Sequence, residues 1–166
     1  YTSVVKDGGL TGVPVVRTLA GALQAGDAGV DGRIVEGGEG GGFKNPRPVA
    51  SMVLLPLVRS KVDVPIIAAG GIVDGPTMAA AFALGAEGVQ MGTRMVSSAE
   101  SPVHQHWKDA IVAAAETDTV VLGRAGRMAM RALRPGRRTA VGCDTAAEPA
   151  AAARRSLYGP IPQHLQ

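Results

Sequence analysis

Apolar residues fall in four short runs separated by mixed segments: "GVPVVRT" (12–18), "DGRIVEG" (31–37), "VDVPIIAAGG" (62–71) and "AEGVQMGT" (86–93). Unbroken runs such as "PIIAA" predict parallel strands buried on both faces. Helical patterning follows each run. Leu19–Ala25 predicts a helical turn or two, and residues 49–60 a helix that Pro56 should kink or weaken. Asp74 caps a third predicted helix, with Pro76 in its first turn and Gly85 to end it. Ser101-Pro102 opens a fourth, "PVHQHWKDAIVAAA". Strands alternating with helices predict βα units and a parallel sheet.

Two architectures use this alternation, the doubly wound open sheet and the (β/α)8 barrel. A whole barrel takes roughly 250 residues. The 166 residues here hold four βα units, enough for half of one. The N-terminal "YTSVVKDGGL" has no initiator Met and begins as though in mid-fold, which is expected of a fragment. The expected organisation is residues 1–138 as the C-terminal part of a barrel. Residues 139–166 are expected to form a loosely packed tail containing a short helix.

Composition narrows the function classes. Aromatics make up 3% of the chain, too few for the stacking platform that single-stranded nucleic acid needs. The single cysteine, Cys143, excludes an internal disulfide framework and a multi-cysteine metal site, so no metal is expected. No signal peptide and no bilayer-length apolar run are visible, and a cytoplasmic protein with no membrane partner is expected. The net charge of +3 conceals a cluster of Arg124, Arg127, Arg131, Arg134, Arg137 and Arg138. Arg127, Arg131, Arg134 and Arg138 fall near one face of a predicted helix. A solvated face with some ion pairing outweighs a nucleic-acid patch there.

Candidate chemistry lies where the strands end. "EGGEGGGF" (36–43), "AAGG" (68–71) and "QMGT" (90–93) each leave backbone bare at a strand end. In both architectures ligands sit at the carboxyl ends of the strands. Bare amides with a helix N-terminus, here the one near Asp74–Pro76, suit a phosphate. A purely turn-making role for these glycines is the alternative. The dinucleotide fingerprint fails in 36–43, because its third glycine would fall on Phe43 or Asn45, and no P-loop motif exists.

The blocks "VPVVRTLAGALQAGDAGVDGRIVEGGEGGGF", "VPIIAAGGIVDGPTMAAAFALGAEGVQMGTR" and "SPVHQHWKDAIVAAAETDTVVL" resemble the nitronate monooxygenases, formerly 2-nitropropane dioxygenases. They also resemble the related FMN-dependent enoyl-acyl carrier protein reductases. The resemblance covers roughly residues 12–134. It implies an FMN-binding TIM barrel, here its C-terminal half. Gly41 and Gly42 match glycines lying against the flavin, and Ala69, Gly70 and Gly71 match backbone at the FMN phosphate. Gln90, Met91, Gly92 and Thr93 match the final-strand motif, whose Gly and Thr also meet the phosphate.

The resemblance implies oxidation of alkyl nitronates with O2. The alternatives are an NAD(P)H-dependent flavin or enoyl reductase, and a non-catalytic half-barrel remnant. The chain departs from the family at Phe43. Relatives usually end this loop in "GGH", with a histidine that takes a proton from a nitroalkane carbon. Phenylalanine has no proton to exchange, so the catalytic base is unassigned. Lys44 is expected in solvent. His104 and His106 are expected in the first turn of the last helix, in a surface or capping role. Trp107 and Lys108 are expected to pack or be solvated. Glu36 and Glu39 can line the site, and Glu36 can alternatively accept from loop amides. IMP dehydrogenase-like barrels share a glycine-rich phosphate site but need a nucleophilic loop cysteine, and Cys143 lies in the tail.

Overall fold

A computed structural model describes residues 2–123 and 129–134. The chain divides into two compact units. The first comprises Tyr1–Gly41 and Arg47–Ala113, and the second Gly42–Pro46 and Ala114–Gln166.

In the first unit the elements run α1 (Thr2–Asp7), β1 (Val15–Val16), α2 (Leu19–Asp27) and β2 (Arg33–Glu36). The second unit contributes β3 (Gly42–Lys44) before the chain returns with α3 (Ser51–Arg59), β4 (Ile66–Ala69), α4 (Gly75–Ala83), β5 (Gly88–Gln90), α5 (Thr93–Val96) and α6 (Gln105–Ala113). The second unit then adds β6 (Thr119–Leu122) and β7 (Ala129–Leu133).

Strands β1, β2, β4 and β5 form a parallel sheet in that order, as the four apolar runs predict. The β2–β4 register pairs Ile34 with Ile67 and Glu36 with Ala69. Val35, Ile66 and Ala68 are buried in the strands. Helix α3 turns Leu54, Leu55 and Val58 onto the sheet as one apolar stripe. These residues, with Ala22 of α2 and Ala81 of α4, make the core. Burial of apolar area contributes about 25 cal/mol per Å2, so this layer is the main stabilising term of the unit. Arg33 is also buried, and its Nε donates to the Ala22 carbonyl at 2.7 Å.

Helix α3 spans Ser51–Arg59 within the expected 49–60, with Pro56 inside it. Other boundaries differ from the sequence expectation. The last helix of the unit begins at Gln105, not Pro102, so His104 precedes it and only His106 lies in its first turn. Thr93 starts the short helix α5 instead of a loop.

In the second unit, β3, β7 and β6 form an antiparallel sheet. None of the three is predicted from the sequence. "MAMRALR" is expected to be helical, but Ala129–Leu133 is a strand paired on both sides. Arg131 and Arg134 therefore do not share a helical face. Arg131 Nη1 donates to Thr119 Oγ1 at 2.9 Å, and the Arg134 amide donates to the Asp118 carbonyl. The sheet supplies partners on two edges that an isolated helix would lack, so pairing overrides local helical propensity. Arg124, Arg127, Arg137, Arg138, Cys143 and the predicted tail at 139–166 lie outside the described residues. Among the described residues, no helix is long and apolar enough to cross a membrane.

Candidate functional site

In the first unit the parallel strands present their carboxyl ends at one edge. Arg17 follows β1 there, and Glu36 ends β2. Gly37–Gly41, Ala69–Gly71 and Gln90–Thr93 continue beyond β2, β4 and β5. The Gly37 amide donates to the Ala69 carbonyl at 3.0 Å, which locks the first two of these segments together.

Some glycines are demanded by packing. Gly70 has φ +88, and a Cβ there would lie 3.0 Å from the Gly40 nitrogen. A Cβ on Gly37 would run into the Ser51 hydroxyl and lie 2.7 Å from the Ser51 nitrogen. Others are not. A Cβ on Gly75 or Gly92 would meet nothing within 4 Å, and one on Gly41 would only reach Thr93 Oγ1 at 4.0 Å. The open faces lie at Gly41, Gly75 and Gly92, the packed ones at Gly37 and Gly70. Among the described residues, nothing accepts a hydrogen bond from the amides of Gly71, Gly75 or Gly92. Bare donors with open space beside them can receive an anion.

The α4 N-terminus is capped by Asp74 with Pro76 in its first turn, as expected, and the cap takes up amides that a phosphate would otherwise meet. Asp74 Oδ1 accepts from the Thr77 amide at 2.9 Å, while Thr77 Oγ1 accepts from the Asp74 and Val73 amides, each at 3.0 Å. This capping box closes most of the first turn, and Pro76 has no N–H. Only the Gly75 amide of that turn stays open to a ligand. The Thr77 hydroxyl, then the Thr77 amide and the positive charge of Arg94, hold the Asp74 carboxyl below its ordinary value.

The α3 N-terminus is closed from a distance. Its N-cap, Ala50, offers no side-chain bond. Instead Glu39 accepts from the Ser51 amide at 3.0 and 3.1 Å through its two oxygens. Ser51 Oγ lies 2.9 Å from Glu39 Oε2 and 3.0 Å from the Gly70 carbonyl.

Of the sequence-predicted residues, Gly41, Ala69, Gly70, Gly71, Gln90, Met91, Gly92 and Thr93 gather at this edge. Gly42 and Phe43 belong to the second unit, where they pair with Arg131 and Met130. Phe43 is therefore a strand residue, not a loop residue, and is 50% exposed. Lys44, expected in solvent, is 6% exposed, because the pleat of β3 turns it inward while Phe43 faces out. Glu36 takes a 2.6 Å contact from Arg17 Nε. Glu39 accepts a main-chain amide, that of Ser51. His104 Nδ1 accepts from the His106 amide at 3.2 Å, a capping contact as expected. Trp107 is exposed, and buried Lys108 donates to the Ala99 carbonyl.

Sequence reasoning missed Arg17, Ser51 and Arg94. A charged residue directly after a strand was the available signal for Arg17. Ser51 carried none, because its partner lies twelve positions away.

The sequence profile described as "Nitronate monooxygenase" matches residues 3–153. A (3aS,4S,5R,7aS)-5-hydroxy-7a-methyl-1-oxo-octahydro-1H-indene-4-carboxyl-CoA dehydrogenase of Rhodococcus jostii (strain RHA1) is 41% identical over 129 residues, 78% of this chain and 36% of that protein. A probable nitronate monooxygenase of Staphylococcus aureus (strain JH9) is 44% identical over 102 residues, 57% of this chain and 29% of that one. Among solved structures, FabK from Thermotoga maritima is similar with a TM-score of 0.77 and 47% identity, over 80% of this chain and 42% of its own. A nitroalkane oxidase from Streptomyces ansochromogenes reaches 0.70 and 31%, over 79% and 40%. This chain thus spans about a third of the length of the curated relatives it matches. Its fold is α/β, part of a (β/α)8 barrel.

Proposed function

Because this chain belongs to the nitronate monooxygenase family, we propose that it supplies the FMN-binding edge of a flavin-dependent oxidoreductase that oxidises alkyl nitronates with O2. The observation that carries this reading is the group of bare amides at Gly71, Gly75 and Gly92, beside the open faces of Gly41 and Gly92. A dianionic phosphate fits such donors, and a flat ring fits a backbone without side chains. Ala69, Gly70, Gly71, Gln90, Met91, Gly92 and Thr93 would hold the phosphate end, and Gly41 the ring. When bound, FMN supplies the electron transfer, which no side chain here can perform. The chain's own residues bind and orient.

They offer no base at the usual position. Phe43 cannot take a proton from a neutral nitroalkane, whereas a preformed nitronate has already lost it. Lys44 is buried, and His104 is engaged with the His106 amide. A second reading, an NAD(P)H-dependent flavin or enoyl reductase, draws support from the 47% identity to FabK and from the dehydrogenase relative.

The test uses the full-length protein with added FMN. A flavin absorption band retained after desalting is expected, and a colourless protein would sink the cofactor reading and favour a non-catalytic role. O2 uptake is then expected with propyl nitronate but not with the neutral nitroalkane. Equal turnover of both would overturn the argument from Phe43. NAD(P)H oxidation driven by an enoyl thioester, without O2 uptake on nitronate, would establish the second reading.

A further inference from the structure

We infer that Glu39 is a positioning residue for the flavin edge: through Ser51 it fixes the end of the glycine loop to the start of α3 and to the Gly70 turn. The inference rests on the reading above that FMN binds here. Three chain segments meet at this carboxylate. It closes the Ser51 amide with both oxygens, and the hydroxyl it shares with Gly70 lies within 3.0 Å of either acceptor. A carboxylate at a helix N-terminus is favourable both as a charge-assisted acceptor and toward the helix dipole.

There is little slack around it. A Cβ on Gly71 would lie 3.3 Å from Glu39 Cβ, and one on Gly37 would strike Ser51. The backbone ties of the loop to the rest of the unit lie at its beginning, where Gly37 donates to Ala69 and Gly38 to Val49, and within the loop the Gly40 amide donates to the Gly37 carbonyl at 3.3 Å. Glu39 supplies a side-chain tie at the far end, two residues before Gly41. Without it, Gly37 and Gly38 stay in place, and Gly41 loosens behind the long turn contact of Gly40 with Gly37. Glu39 is exposed. An exposed pair adds little to global stability, so its loss registers in ligand binding more than in melting.

The test titrates flavin-stripped full-length protein with FMN and with riboflavin, in wild type, E39A, E39Q and S51A. E39A is expected to weaken FMN about tenfold, the scale of one charged hydrogen bond. Riboflavin should weaken by the same factor, because Gly41 faces the ring and not the phosphate. E39Q, which keeps an acceptor oxygen, should recover part of the loss. S51A should lose less than E39A, because its backbone amide still meets Glu39. The visible circular dichroism of the bound flavin should change in E39A. Wild-type affinity and an unchanged dichroism band in E39A and E39Q would overturn the inference. So would a loss confined to FMN, or one matched by an equivalent drop in melting temperature. A wild-type protein that binds neither flavin would remove the site itself, an outcome distinct from these.

Discussion

Helices α3 and α4 start at the same sheet edge and are closed in opposite ways. Asp74 closes α4 from within, by a box with Thr77 three residues on. The start of α3 is closed by Glu39, twelve residues upstream and on the far side of the glycine loop. A local cap stabilises its own helix and stops there. A distant cap joins the helix to whatever carries it, here the loop beside the open faces of the site. Disturbing α4 should therefore reach no farther than the Gly75 amide at its own start, whereas disturbing α3 should be felt across the glycine loop.

The largest effect is expected from Gly37→Ala. The new methyl would occupy the place of the Ser51 hydroxyl and crowd the Glu39 carboxylate and the Ser51 main-chain nitrogen. A loss of about 2–3 kcal/mol of stability, read by urea denaturation, follows from overpacking of this kind. An unchanged midpoint would show that the Glu39–Ser51 junction is slacker than described. Next comes a double-mutant cycle. E39A and S51A should be non-additive by roughly 0.5–1 kcal/mol, whereas D74A and S51A should add. Coupling of similar size in both cycles would erase the contrast between the helices.

D74A should lower the melting temperature by a few degrees, on the order of 2–4 °C, and leave riboflavin affinity unchanged, any loss being confined to FMN, whose phosphate would meet the Gly75 amide. Its pH dependence has a definite sign. The folded-state pKa of Asp74 is held below the ordinary 3.8 by the Thr77 hydroxyl first of all. Its contribution is therefore fully present above the unfolded pKa and is lost as pH falls through the folded value, below about 3.8. Melting curves of wild type and D74A should converge in acid and separate above that range. The smallest effect on stability belongs to Gly92→Ala. Gly92 has φ −99, and a Cβ there meets nothing, so stability should stay within about 0.5 kcal/mol. FMN affinity should nevertheless fall, and an unaffected affinity would remove Gly92 from the phosphate end.

The same contrast explains what could be read from the sequence. The four parallel strands were legible because burial on both faces writes continuous apolar runs. The α4 start was legible because Asp74, Pro76 and Gly85 act within a few residues of their effects. Glu39's partner was not, since nothing local marks Ser51 as its contact. Strand β3 was hidden in a glycine run, and its pairing with β7 joins residues nearly ninety positions apart, Phe43 with Met130. "AMRAL" fits a helical period as well as a strand, and only the two partner strands decide it. The gathering of Gly41, Gly70–Gly71 and Gln90–Thr93 was legible as a consequence of parallel topology. Which of these glycines are open was not, because that depends on what stands opposite each one.

The separation between Glu39 and Ser51 also sets an order in time. The Asp74–Thr77 box can close as soon as one helical turn exists. The α3 cap must wait until the intervening loop has been brought round, an entropic requirement that grows with loop length. In kinetic terms Asp74 belongs to the early, local events and Glu39 to the late ones. Removing Glu39 should then speed unfolding while leaving the folding rate nearly unchanged. The glycine loop is, on this view, the last part of the edge to set and the first to open.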